Sequence, residues 1–373
     1  MKKRGPIGWL AHDVTHRGAT AWALALSILL FYVVLYWGDD AHNINPLDKV
    51  AWALHLGRHG QSGAKWTLYG ALYTAAVTLG GLAFLRKYGH NRYQVVRTIV
   101  VIVVQATLAF SVPLVMKMFG HPEHYFSYLW PLKMYYFEPG FIRSNPAPLV
   151  LWSFIGSLLV APALAVIYGK RWYCSWICGC GGLANTAGDS FRHLSDKSER
   201  AWRFEKVSIY ATLAITVVTT AMVLASAFVQ GSHPGLDLWT EKFRTNYGLI
   251  VSSLLSGIIG VAAYPIGGTR VWCRYFCPMA AMLGLFQRAG RFRIRVKEDQ
   301  CISCGMCSEH CEMGIDVRAY AQANESFTRA SCVGCGMCSE VCPRGVLTLE
   351  NAHTQSKREQ LVQLRVPKRE KKQ

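Results

Sequence analysis

Eight of the 13 cysteines repeat one spacing. Cys301-x2-Cys304-x2-Cys307-x3-Cys311 is followed by Cys332-x2-Cys335-x2-Cys338-x3-Cys342-Pro343. This is the spacing of bacterial two-cluster ferredoxins. Three thiolates of a tight loop meet one four-iron cube, and the fourth cysteine reaches the cube of the other motif. The expected ligands of one [4Fe-4S] cluster are therefore Cys301, Cys304, Cys307 and Cys342. Those of the second are Cys332, Cys335, Cys338 and Cys311. Gly305, Gly334 and Gly336 leave room for backbone N–H groups to approach the sulfurs. Structural zinc is the competing chemistry, but zinc favours separated cysteine pairs over such triplets. Glu312 stands where a proline often follows the fourth cysteine, a departure that bears on potential rather than ligation.

Four more cysteines, Cys174, Cys178, Cys273 and Cys277, form two C-x3-C pairs. At an offset of 99 residues, Gly169-Lys-Arg171-Trp-Tyr-Cys174-Ser-Trp-Ile-Cys178 aligns with Gly268-Thr-Arg270-Val-Trp-Cys273-Arg-Tyr-Phe-Cys277. Glycine, arginine and both cysteines coincide, which reads as an internal repeat. On a helix, i and i+4 place both sulfurs of a pair on one face. Two such faces meeting would offer four thiolates to a further metal or redox centre. Thiol or copper handling and purely structural thiols remain open beside that reading. Arg171 and Arg270 are expected to set positive charge beside the thiolates and lower their pKa. Cys180, a third thiol near Cys178, reads as a small buried residue.

The elements that must position these cysteines are mostly apolar. Hydrophobic residues make up 51% of the 373-residue chain and charged residues 17%, which excludes a disordered chain. A cysteine block at metal-ligand spacing excludes a disulfide-stapled secreted domain. Six charge-free runs are each long enough to cross about 30 Å of hydrocarbon as a helix. They are Gly18–Gly38, Trp66–Leu85, Thr98–Met116, Ser144–Gly169, Val207–Leu236 and Thr245–Thr269. Pro113, Pro162 and Pro265 predict kinks. The first run reads as a retained helix, because it is too long for a signal peptide and no small-x-small site follows it. With the N-terminus in the cytoplasm, the cytoplasmic segments before the last span hold fifteen Lys and Arg residues and the outer loops eight. That bias predicts that both termini are cytoplasmic. The net charge of +18 then reflects topology and anionic lipid, not nucleic acid.

Two C-x3-C motifs directly after spans, together with a C-terminal two-cluster ferredoxin, resemble the membrane polyferredoxin family, the NapH/NosR-like 4Fe-4S membrane proteins. The resemblance covers roughly residues 150–350. That family writes C-x3-C-P twice; Cys277-Pro278 obeys and Cys178-Gly179 does not. The resemblance implies a bacterial inner-membrane protein passing electrons between quinone or quinol and a partner redox protein. Two other readings stand beside it: a cytoplasmic-side reductase supporting copper-centre assembly, and a redox-sensing regulatory membrane protein. The expected architecture is an all-α membrane domain over 1–290, with six transmembrane helices, N-in and C-in. A small α+β two-cluster [4Fe-4S] ferredoxin domain over 291–350 and a basic tail over 351–373 follow. Haem is not expected, since the spans offer no histidine pairs and no C-x2-C-H occurs. NAD is not expected without a G-x-G-x-x-G turn. Flavin is not expected either, since Arg17-Gly18-Ala19-Thr20 lacks a hydroxyl residue before the glycine. His121 and His124, like His55 and His59, read as loop polar contacts. Arg288, Arg291, Arg293 and Arg295 are expected to hold the ferredoxin domain at the anionic leaflet.

Overall fold

The computed structural model describes residues 12–60, 62–121, 123–228 and 234–351. Lys2, Lys3, Arg4 and the basic tail beyond residue 351 lie outside the described residues. Among the described residues six helices are long and apolar enough to cross a membrane: Ala19–Trp37, Ala64–Tyr88, Arg92–Met118, Ala147–Tyr168, Glu199–Ser226 and Leu238–Ala262. Large apolar side chains such as Leu30, Leu79 and Val207 stay exposed on them. Such a belt is costly in water and at home in hydrocarbon, so the chain is a multi-pass membrane protein. In the fifth span Thr212, Thr216 and Thr220 donate their hydroxyls to carbonyls four residues back, so these polar side chains are satisfied within the helix.

The fifth and sixth spans differ from the runs Val207–Leu236 and Thr245–Thr269. The fifth helix begins earlier, at Glu199, and ends at Phe228. A new helix then starts at Pro234 and carries its charged residues into the sixth span. Charge marks where hydrocarbon ends, not where a helix must. Arg244 pairs with Glu241 at 2.7 Å and lies 3.4 Å from Glu138, so the helix crosses this charged stretch unbroken. The prolines do more than kink. Pro113 and Pro162 each follow a stretch of wide π-turns, Gln105–Ser111 and Gly156–Val160. A wider turn accommodates the carbonyl that the ring displaces.

The segments expected to share one side of the membrane do meet. Arg17 donates to the carbonyls of Ile266 at 2.7 Å and Leu194 at 2.8 Å. Lys87 reaches Asp189 at 3.0 Å. The C-terminal domain sits on this same face. Its two strands, β1 (Phe292–Val296) and β2 (Leu347–Asn351), pair antiparallel, with Phe292 opposite Asn351 and Val296 opposite Leu347. One apolar cluster runs through both parts, from Ala161, Ala165 and Tyr173 to Phe292, Ile294 and Ile315. The ferredoxin part is therefore packed into the membrane part, not tethered beneath it. This packing holds the domain independently of any lipid contact made by the arginines after the sixth span. Arg295, for one, lies 3.6 Å from Glu350 within the domain itself.

Candidate iron–sulfur site

The two ferredoxin motifs fold alike. Gly305 and Gly336 both adopt φ of 81°, a left-handed turn that glycine takes without strain. Each opens a one-turn helix, Met306–Glu309 and Met337–Glu340. Cys311 accepts the Ile315 N–H at 3.4 Å, and Cys342 accepts the Val346 N–H at 3.4 Å. Cys301, Cys304, Cys307 and Cys342 line a single hollow. Cys338 lies within electrostatic reach of Cys332, Cys335 and Cys311. The hollow thus gathers the first expected set, and Cys338 has Cys307 of that set within reach as well as its own three expected partners. Burial pushes the Cys311 thiol up to about 12 and Cys332 up to about 11, so iron loading there must displace protons. Among the described residues no three His, Cys, Asp or Glu side chains close on a single-ion position. Four thiols around a hollow are the donor set of a cube.

The C-x3-C pairs do not lie on one helix face. Cys174 ends the short helix Arg171–Cys174, and Cys178 precedes the next, Gly179–Asn185. Cys273 lies in Val271–Tyr275, and Cys277 precedes Pro278–Arg288. Pro278 pushes Cys277 before it out of the helical region, to ψ of 112°; Cys178, followed by Gly179, is likewise extended, with ψ of 132°. Each pair therefore spans a turn between two helices. The repeat survives in three dimensions. Gly169 and Gly268 both end a helix with ψ of 171° and positive φ. Cys178 N–H donates to Tyr173 O at 2.8 Å, and Cys277 N–H to Trp272 O at 3.0 Å. All four cysteines are buried, and Cys277 lies within electrostatic reach of the other three.

Glycines explain the uneven motif. A Cβ at Gly179 would lie 2.6 Å from Tyr128 Oη and 2.8 Å from Tyr73 Oη, which leaves no room for proline after Cys178. A Cβ at Gly181 would lie 1.9 Å from the Cys174 carbonyl. Cys180, half-buried, hydrogen-bonds Cys178 and is the first cause of the lowered Cys178 pKa.

Only one repeat arginine faces the thiols. Arg270 lies 3.7 Å from Cys273 Sγ and donates to Cys174 O at 3.0 Å. Arg171 turns away, donating to Tyr168 O at 2.9 Å and stacking on Phe292 at 4.7 Å. The difference arises because β1 offers the first repeat an aromatic face. Several functional contacts escape a reading by motif. Tyr93 Oη donates to Gly334 O at 2.8 Å, and Arg97 Nη1 to Cys335 O at 2.6 Å. Ser175 Oγ donates to Val333 O at 2.7 Å. Gln105, at the start of a π-stretch, donates to Ile177 O at 2.6 Å. Arg97 borders the charge-free run that begins at Thr98, and that position was the one signal available. His124 is also not a polar contact. It is buried with its ring 4.7 Å from that of Tyr136, and burial pushes its pKa down to about 4.

A membrane helix bundle packed on a paired cysteine-motif domain defines an iron–sulfur electron-transfer protein of the membrane. A 4Fe-4S dicluster domain family matches residues 294–349. A second family, described as a 4Fe-4S binding domain, matches twice, at 150–198 and 249–297, the separation of the C-x3-C repeat. The regulatory protein NosR of Stutzerimonas stutzeri is 22% identical over 46% of this chain and 23% of its own length. The methylamine utilization ferredoxin-type protein MauN of Methylorubrum extorquens is 26% identical over 42% of this chain and 54% of its own. YccM of Escherichia coli, which bears an electron-transport name, is 28% identical over 43% of this chain and 46% of its own. The match thus spans about half or less of these relatives. No solved structure matches. Across its cysteine-bearing part the chain is therefore similar to the NapH/NosR-like membrane ferredoxins.

Proposed function

We propose that this chain is an inner-membrane carrier linking the quinone pool to a partner redox protein, with both termini and the ferredoxin domain in the cytoplasm. The lysine and arginine bias supports that orientation. The observation that carries the quinone link is a cavity of about 930 Å³ among the spans. It reaches from Glu123 and Lys133 in the loop after the third span to Trp272 and Cys273 at the C-x3-C site. Its volume is at the upper end for small-molecule sites. The hydroxyls of Tyr73, Thr74 and Thr269 and the indole N–H of Trp272 line it, buried and without a protein partner. Unpaired buried polar atoms are costly, and a quinol, apolar with a donor and acceptor at each end, suits such walls.

The two ferredoxin sets are read as holding two [4Fe-4S] clusters. Cys174, Cys178, Cys273 and Cys277 are read as holding a third centre, a reading supported by the doubled match to a 4Fe-4S binding family. Bound cubes supply one-electron uptake and release. The chain's own part is to bind the thiolate ligands, orient them through Arg270, Arg97 and Gln105, and keep water out of a buried junction. The test is anaerobic mixing of the cluster-loaded protein with a short-chain ubiquinol or menaquinol. Bleaching of the iron–sulfur absorbance is expected, with recovery on adding quinone. Thr269→Val is expected to raise the quinol concentration needed. Clusters that respond to dithionite but to neither quinol would sink the quinone link. Oxidation by copper ions instead would favour the assembly reading, and no turnover with either a regulatory one.

A further inference from the structure

Lys170 follows the glycine turn that closes the fourth span, and its side chain is fully buried. Among the described residues its Nζ, buried, has no hydrogen-bond partner. A buried cation without a counter-charge is strongly disfavoured, so its place asks for an anion. Gln287 fixes that place. Its Oε1 accepts the Lys170 N–H at 2.7 Å, and its Nε2 donates to Cys332 O at 2.9 Å and Arg329 O at 2.8 Å. On the other side, the Cys174 N–H donates to Lys170 O at 2.9 Å. The residue is thus one hydrogen bond from the C-x3-C loop and one amide from the inner ferredoxin loop. Arg270 also faces Cys174, but its charge is met by Glu312 at 3.0 Å.

We propose that Lys170 is a positioning cation at an electron junction, its buried ammonium standing between the C-x3-C centre and the inner ferredoxin cluster and raising the potential of both. A thiolate-ligated cube is anionic, and reduction adds one more negative charge. A nearby cation in a poorly screened interior therefore favours the reduced state. The outer set, Cys301, Cys304, Cys307 and Cys342, has instead Arg318 and Arg344, both exposed and screened by solvent. Lys170, with the buried Arg97 on Cys335 O, thus sets the inner centres apart from the outer one, and it is the cation that stands beside both of them.

The inference rests on the iron–sulfur reading of both cysteine sets, which the iron content of the unaltered protein tests separately. The experiment is a redox titration of the cluster-loaded full chain in detergent, followed by electron paramagnetic resonance, for the parent, Lys170→Met and Lys170→Arg. In Lys170→Met, two of three signals are expected to move to more negative potential while the third stays. Lys170→Arg, which keeps the charge, is expected to stay near the parent. Unmoved signals, three signals moving together, or a shift confined to one ferredoxin cluster would overturn the proposal. Equal loss of clusters in both variants would also overturn it, since Lys170 would then act by packing.

Discussion

Glu312 and Arg270 stand 3.0 Å apart, buried where the ferredoxin loop meets the second C-x3-C motif. Glu312 also receives Arg192 Nη1 at 2.9 Å. Burial alone would raise its pKa, but Arg270 and Arg192 outweigh that and hold the carboxyl at about 2. One residue before it is Cys311, and Arg270 itself reaches Cys174 O. A carboxylate in the usual proline position thus ties the two cysteine sets together. Glu312→Gln leaves two buried guanidiniums facing a neutral amide, a change that costs about 3–5 kcal/mol where a buried pair is broken. The expected result is faster limited proteolysis between residues 291 and 351 and cluster loss at lower denaturant. A parental unfolding midpoint would show that the pair carries no weight.

The cysteine sets and six spans were legible because each follows one short-range rule, ligand spacing or an unbroken apolar run. The two C-x3-C loops were legible as a repeat but not as turns, since i, i+4 spacing suits a helix and only the helix-breaking residues after Cys178 and Cys277 argued otherwise. Arg171 and Arg270 looked equivalent because sequence alignment cannot see Phe292 arriving from 121 residues away to take one of them. Lys170 looked like one more positive-inside residue. Its meaning depends on burial, and burial here comes from the docking of a domain whose loops lie more than a hundred residues on. Charge at span ends misled about helix length, since Glu199 and Arg244 stay helical beyond the apolar run.

Iron content is the direct measure of the cysteine sets. Two ferredoxin cubes require about eight irons and eight sulfides per chain, and a third centre adds to that number. Zinc, or fewer irons than two cubes need, would remove the two-cube assignment.

Orientation is tested by fusion. Alkaline phosphatase joined after Gln373 is expected to be inactive, and a fluorescent protein there bright. The reverse pattern would invert the topology and put the ferredoxin domain on the outer face.

Gly181 is required by close approach, since a Cβ there would sit 1.9 Å from the Cys174 carbonyl, a backbone atom that cannot swing aside. Gly181→Ala is expected to lose the third centre while the ferredoxin clusters remain, because the clash falls on the Cys174 carbonyl and on Arg270 Nη1, both at the C-x3-C site. Full retention of all iron in this variant would mean that the loop is looser than its packing implies.

The two C-x3-C pairs are expected to act as one site. Cys174 lies within electrostatic reach of Cys273 as well as Cys178, and Cys277 of all three, so no pair is self-contained. Arg270 joins the halves physically, touching Cys174 O and Cys273 Sγ with one nitrogen. Independent sites would give additive losses in free energy for Cys174→Ser and Cys273→Ser, as for any residues without shared partners. A single centre gives a different result: either change alone removes most of the quinol-to-cluster transfer, and the double variant adds little. The readout is the rate at which the ferredoxin absorbance bleaches after mixing with quinol, with ferredoxin iron measured in each variant to exclude unfolding. If all single variants keep both full iron and full rate, the four cysteines are structural, and the cavity that ends at Cys273 delivers electrons by another route.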